Sequence, residues 1–130
     1  AGARVGFIFA APDILNRMNE AMGPWTVSGP AREVARLALQ DTAWQSAARP
    51  RLQAAGERLH QLLAPLGEVK STALFATLSC AQSAELYDAL ARQGILTRNV
   101  DQQPLLRVGL PGDEAGWLRL ADALSAWRTI

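Results

Sequence analysis

Cysteine occurs once in this 130-residue chain, as Cys80, so no internal disulfide framework is available and a reducing compartment such as the cytoplasm fits. Histidine also occurs once. His60 has no second histidine or cysteine at ligand spacing and reads as a solvated helix residue rather than a metal ligand. Charge of one sign is missing too: thirteen basic and twelve acidic residues leave a net charge of +1, no electrostatic case for a nucleic acid or membrane partner. Lysine is reduced to Lys70, the other twelve cations being arginines. No apolar run approaches the roughly 20 residues that span a bilayer, and no signal-peptide pattern is present. P-loop, GxGxxG, HExxH and GxSxG motifs are all absent, which removes the commonest nucleotide, zinc-hydrolase and serine-hydrolase signatures.

What remains is an apolar, arginine-bearing chain of one-domain length. Alanine supplies 24 of its positions, so the 49% hydrophobic content overstates the bulky core, yet Leu, Val, Ile, Phe and four Trp suffice for a folded interior. Val5–Ala11 is almost continuously apolar and predicts a strand buried on both faces. Because the chain opens directly into that run, it is expected to come from the middle of a longer protein. Pro12 starts a short helix with Ile14, Leu15 and Met18, ending at Gly23-Pro24, and residues 23–30 form a loop by composition. A second helix runs from Ala31 to about Leu39, with Val34, Leu37 and Ala38 on one face.

Asp41 is a plausible N-cap for the strongest helical pattern, in which Trp44, Ala48, Leu52, Ala55, Leu59, Leu62 and Leu66 recur every three or four residues. Pro50 predicts a kink or a fresh start within it, and Gly67 its end. Val69–Leu78 predicts one strand, Ala81–Gln93 a helix closed by Gly94, and Ile95–Val100 and Leu105–Leu110 two strands joined by residues 101–104. A final helix follows Asp113, with Trp117, Leu120, Ala121, Leu124 and Trp127 on one face. The order strand, helix, strand, strand, helix implies an α/β sandwich, a sheet covered by helices on one face. Residues 1–45 then read as the edge of a larger domain and 46–130 as a complete small one.

Three arginines stand out. Arg4, beside Ala1-Gly2-Ala3, either holds a phosphate, whose oxygens match the guanidinium fork, or reaches solvent or a carboxylate from a strand end. Arg107, between Leu106 and Val108, faces away from two apolar neighbours; it is salt-bridged on a sheet face or presented to an anionic ligand. Arg98 lies on the neighbouring strand, and two like charges there need a shared anion or separate partners. Trp25, Thr26 and Ser28, held between prolines and glycines, either line a pocket or pack as a turn. Cys80 has no catalytic histidine constellation, and Lys70 shows no sign of a buried nucleophile.

Ala1-Gly2-Ala3-Arg4-Val5-Gly6-Phe7 resembles the stretch just after the cofactor-binding lysine of fold-type I pyridoxal-phosphate enzymes, in the class I/II aminotransferase superfamily. The resemblance continues in order through Pro24-Trp25-Thr26-Val27-Ser28, the long helix, Ile95-Leu96-Thr97-Arg98 and Leu106-Arg107-Val108-Gly109-Leu110-Pro111. Within the superfamily, residues 23–31 and Thr72-Ala73-Leu74-Phe75 are most similar to threonine-phosphate decarboxylases of cobalamin synthesis, relatives of histidinol-phosphate aminotransferases. That resemblance implies pyridoxal 5'-phosphate as cofactor, with Arg4 on its phosphate, and a small phosphorylated amino acid as substrate. Arg107 would take the α-carboxylate, Arg98 would assist with the substrate's anionic groups, and Trp25 to Ser28 would border the cleft. It also implies a homodimer and a catalytic lysine upstream of Ala1, a role not transferable to Lys70. The rivals are an aminotransferase of the histidinol-phosphate type and, in a different class, a non-catalytic module that binds an anion or a partner through its arginines.

Overall fold

The computed structural model describes residues 2–100 and 103–128. Ala1 and, in the connection between the last two strands, Asp101 and Gln102 lie outside the described residues. The chain divides into two compact units, Ala1–Ser46 and Ala47–Ile130, the boundary falling inside one helix.

The first unit contains helix α1 (Pro12–Met22), helix α2 (Gly29–Gln40) and the opening of helix α3 (Thr42–Leu63). Pro12 sits in the first turn of α1, where its missing N–H costs nothing. Gly23, at φ 71°, ends the helix by donating its N–H to the Asn19 carbonyl. Ser28 caps α2, its Oγ accepting the Ala31 N–H at 3.3 Å, and the Asp41 carboxylate accepts the Trp44 N–H at 2.9 Å to start α3.

The expected strand at Val5–Ala11 is not formed: this run pairs with no other segment among the described residues, and Phe7, Ile8 and Phe9 are exposed. A strand needs a ladder partner for its N–H and C=O groups, and apolar content alone does not provide one. Likewise α2 forms, one residue pair longer at its start than expected, but its Val34 and Leu37 are more than half exposed, so its amphipathic stripe has no cover within this unit.

The second unit holds a four-stranded antiparallel sheet. Helix α3 runs through Pro50 as one continuous helix, and a single 3-10 turn at Ala64–Leu66 leads from it into strand β1 (Glu68–Ser71). There follow β2 (Phe75–Ser79), helix α4 (Ser83–Arg92), β3 (Arg98–Val100), β4 (Leu105–Gly109) and helix α5 (Glu114–Trp127). The strands lie in the order β1-β2-β4-β3.

The single strand expected at Val69–Leu78 is thus a hairpin. Thr72 makes the turn: its Oγ1 accepts the Leu74 and Phe75 N–H groups at 3.2 Å, and its own N–H and hydroxyl donate to the Phe75 carbonyl. Helix α3 approaches this turn closely at Gly56, where an added Cβ would stand 3.0 Å from the Thr72 carbonyl oxygen.

One sheet face carries the core. Ala76, Leu78, Leu106 and Val108 are buried against Leu59 and Leu63 of α3, Leu86 and Leu90 of α4, and Trp117, Leu120, Ala123 and Leu124 of α5. The alternate residues, Phe75, Thr77, Arg107 and Arg98 among them, face the other way and are half-buried or exposed. Helix α5 is capped by Asp113, which accepts the Gly116 N–H at 2.8 Å, and α4 ends at Gly94, φ 70°.

Arg58 on α3 ties to α5 through a two-pronged pair with Glu114 at 2.6 and 2.7 Å, and its guanidinium lies 4.5 Å over the Trp117 ring. The hydrogen bonds from Arg58 hold the Glu114 carboxyl below the usual carboxylate range. A carboxyl held lower when folded than when unfolded lends stability that is complete above its unfolded value and is lost as pH falls through the folded one. Thermal melts from neutral pH into the acid range should therefore show an acid-side destabilisation that is smaller in Arg58→Ala; identical pH slopes for both proteins would remove this pair as a cause. Among the described residues no helix is long and apolar enough to cross a membrane.

Candidate functional site

The two strands that carry Arg98 and Arg107 are hydrogen-bonded neighbours, and their register sets Arg98 directly opposite Arg107. Residues so opposed have Cβ atoms about 4.5–5.5 Å apart, and like charges in such a pair repel. The alternation of each strand makes them face outward. Leu106 and Val108 on either side of Arg107 are buried, as is Thr97 before Arg98, while both arginines are exposed. Neither arginine has an ion-pair partner among the described residues. The salt-bridged alternative for Arg107 is therefore not found among the described residues. Its guanidinium rests instead 5.0 Å from the centroid of the Phe75 ring.

Register extends the row across the sheet. Lys70 opposes Thr77, Thr77 opposes Arg107, and Arg107 opposes Arg98. One transverse line on the uncovered face thus carries three cations and one hydroxyl. Lys70, the outermost, is exposed and lies 3.6 Å from Glu68, which accounts for its charge and leaves the Arg98–Arg107 pair as the part with charge to spare. This arrangement can bind a compact anion such as a carboxylate or phosphate in a forked, charge-assisted manner.

In the other unit, Arg4 is the only described non-glycine residue with a positive φ, 52°. That left-handed conformation is costly for a residue with a Cβ and clusters at functional positions. Arg4 is exposed and has no ion-pair partner among the described residues. It lines two hollows. One, of about 510 Å³, is bounded by Val5, Phe7, Val34, Ala38 and Leu39; the other, of about 560 Å³, by Phe7, Leu15, Met18, Thr26, Val27 and Arg32.

The 23–30 loop brings Thr26 and Val27 to the second hollow rather than Trp25 or Ser28. Trp25 is 91% exposed, and the Ser28 hydroxyl is committed to capping α2. Arg32, absent from the sequence reading, lines the same hollow as Arg4. Its signal was available: α2 has no acidic residue in its first turn, where the helix dipole favours one, and carries this cation there instead. Two guanidinium groups on one hollow, neither with an ion-pair partner among the described residues, fit a phosphate group chemically.

The remaining reactive side chains are occupied elsewhere. His60 Nδ1 lies 3.0 Å from the Ser71 hydroxyl, linking α3 to β1. Burial, the largest influence, pushes the Cys80 thiol above its usual range, the opposite of what an activated thiolate requires. No group of three or more His, Cys, Asp or Glu side chains that could hold a metal ion occurs among the described residues.

Comparison with known proteins places this geometry in context. The family model for class I and II aminotransferases matches residues 1–124. A threonine-phosphate decarboxylase of Pseudomonas aeruginosa is 47% identical over 130 residues, covering 98% of this chain and 39% of the relative. A threonine-phosphate decarboxylase of a Sinorhizobium species is 38% identical, covering 96% and 38%. A histidinol-phosphate aminotransferase of Methylobacillus flagellatus is 32% identical, covering 99% and 37%. The chain thus spans about two fifths of the length of the curated relatives it matches.

Proposed function

This chain belongs to the class I and II aminotransferase family, and from that premise we propose that it is the C-terminal part of a pyridoxal-phosphate-dependent lyase. Its substrate is L-threonine O-3-phosphate and its product aminopropanol phosphate, the precursor of the corrin side chain. Residues 1–45 form the edge of the large cofactor-binding domain and 46–130 the small C-terminal domain, and the whole enzyme works as a cytoplasmic homodimer. The uncovered apolar side chains of the first unit, Phe7, Phe9, Val34 and Leu37, support its being one edge of a larger packed body.

The observation that carries the reading is the Arg98–Arg107 pair, opposed in register with no acidic partner among the described residues. Arg107 takes the substrate α-carboxylate by a forked pair and Arg98 assists with the anionic groups. Arg4, with Arg32 on the same hollow, takes the cofactor phosphate. Trp25 borders the cleft; Ser28 contributes there by fixing the start of α2.

Bound pyridoxal phosphate supplies an electron sink for whichever bond at the substrate Cα lies perpendicular to its ring. The arginines decide which bond that is. Holding the two anionic ends of the substrate at fixed points turns either the Cα–carboxylate or the Cα–H bond into line, so clamp geometry separates decarboxylation from amino transfer. A carboxylate that must depart also benefits from a clamp that does not over-stabilise it before reaction. An exposed arginine stacked on a ring suits that better than a fully buried ion pair.

The test is carbon dioxide release from O-phosphothreonine by the full-length enzyme with no oxo-acid present. Stoichiometric release is expected. Turnover only when 2-oxoglutarate is supplied would instead assign an aminotransferase, the activity named for the 32% identical relative.

A further inference from the structure

Among the described residues two arginines stack on aromatic rings, and they differ in one respect. Arg58 lies 4.5 Å over Trp117 and also has a carboxylate: Glu114 grips both of its terminal nitrogens. Arg107 lies 5.0 Å over Phe75 and has no carboxylate among the described residues. The first is a completed assembly of ring, guanidinium and carboxylate; the second is the same assembly with its anion still to come.

Phe75 is fixed in a way that suits such a platform. It is the first residue of β2, and the Thr72 turn secures its backbone on both sides: Thr72 Oγ1 accepts its N–H, and the Thr72 N–H donates to its carbonyl at 2.9 Å. Directly across the sheet its partner is Gly109, which has no side chain to compete for the ring, and Arg107 is the diagonal neighbour. Diagonal pairs of this kind come within reach when one member is aromatic and the other long. Arg107 needs such support, because Arg98 opposes it and pushes it away.

We propose that Phe75 is the positioning residue of the Arg107 clamp, its ring holding the guanidinium against repulsion from Arg98 so that the forked face stays turned to the substrate carboxylate. The inference rests on the reading of Arg107 as the carboxylate clamp. In this role Phe75 acts through Arg107. Without the ring, the guanidinium samples orientations in which only one of its nitrogens meets the carboxylate, and binding weakens before the bond-breaking step is affected.

The experiment is a set of variants of the full-length enzyme assayed with O-phosphothreonine. Phe75→Leu keeps an apolar side chain but removes the π face. It should raise KM roughly 3- to 30-fold with kcat changed by no more than about twofold, and Phe75→Tyr should restore KM. Phe75 replaced by trifluorophenylalanine keeps the shape and weakens the ring's negative face, so KM should rise there too, which covers the case in which Phe75→Leu does not fold. In an Arg107→Ala background, Phe75→Leu should add nothing. An unchanged KM in the trifluoro variant, or an undiminished Phe75→Leu effect without Arg107, overturns the proposal. An Arg107→Ala enzyme of normal affinity would overturn the clamp itself, a result distinct from the loss of Phe75's role alone.

Discussion

Arg107→Ala is expected to weaken binding of the phosphorylated amino acid by about 2–5 kcal/mol if Arg107 clamps a buried carboxylate, the range measured when one partner of a buried hydrogen-bonded charge pair is truncated. At about 1.4 kcal/mol per factor of ten, that is roughly a 30-fold to several-thousand-fold loss. The low end is the appropriate one here, because Arg107 is exposed in its unit and water competes for the anion. Arg107→Lys should recover only part of the loss: an ammonium keeps the charge but not the planar fork, and it stacks less well on Phe75. Titration calorimetry with O-phosphothreonine measures both. Equal affinity for the wild type and Arg107→Ala would leave the row of cations on this sheet face without its principal ligand.

A second large effect is expected in the core. Leu78 is fully buried, opposes Leu106 in the sheet and packs in the same cluster as Leu59 and Leu124. Leu78→Ala should cost about 2–5 kcal/mol through lost transfer energy and the cavity left behind. That is a large part of the roughly 5–15 kcal/mol by which folded domains are stable. Leu96 provides the control, since it is 87% exposed; Leu96→Ala should stay within about 0.5 kcal/mol. Urea unfolding of the two variants separates them, and equal midpoints would contradict the assignment of the covered face.

Helix α5 was the most legible element. The lead-in through Asp113 and Trp117, Leu120 and Leu124 at helical spacing mark its start and inner face in one short stretch; the structure adds that Asp113 caps the helix and that those three residues are buried. The hairpin at Thr72 was not legible. Nothing in Ser71-Thr72-Ala73-Leu74-Phe75 is a glycine, proline or asparagine, and the reversal depends on one hydroxyl making three bonds to the backbone of Leu74 and Phe75. The apolar run at Val5–Ala11 misled for a different reason. Composition shows what a segment would bury, whereas strand formation needs a partner that no described segment supplies.

The candidate site divides in the same way. That Arg107 turns away from its apolar neighbours follows from alternation along a strand. That it meets Arg98 head-on is a matter of register, which short strands joined through residues 101–104 do not reveal. The Phe75 contact was hidden for the same reason as the hairpin: with the turn unseen, the ring had no known place.

The strand order β1-β2-β4-β3 has a consequence for how this face comes into being. Among the described residues β3 has β4 as its one hydrogen-bonding neighbour, and β4 follows it closely in the chain. Arg98 therefore meets Arg107 in a hairpin of strands close in sequence, whereas Phe75 reaches Arg107 only after β4 has docked on β2, a pairing between residues far apart in sequence. The two arginines can thus meet in the β3–β4 hairpin alone, but the Phe75 ring joins Arg107 only when the long-range closure is complete. An anion bound across Arg98 and Arg107 would consequently reward the paired β3–β4 hairpin, and the closed sheet most of all because there Phe75 supports Arg107, making ligand a brake on unfolding at that end.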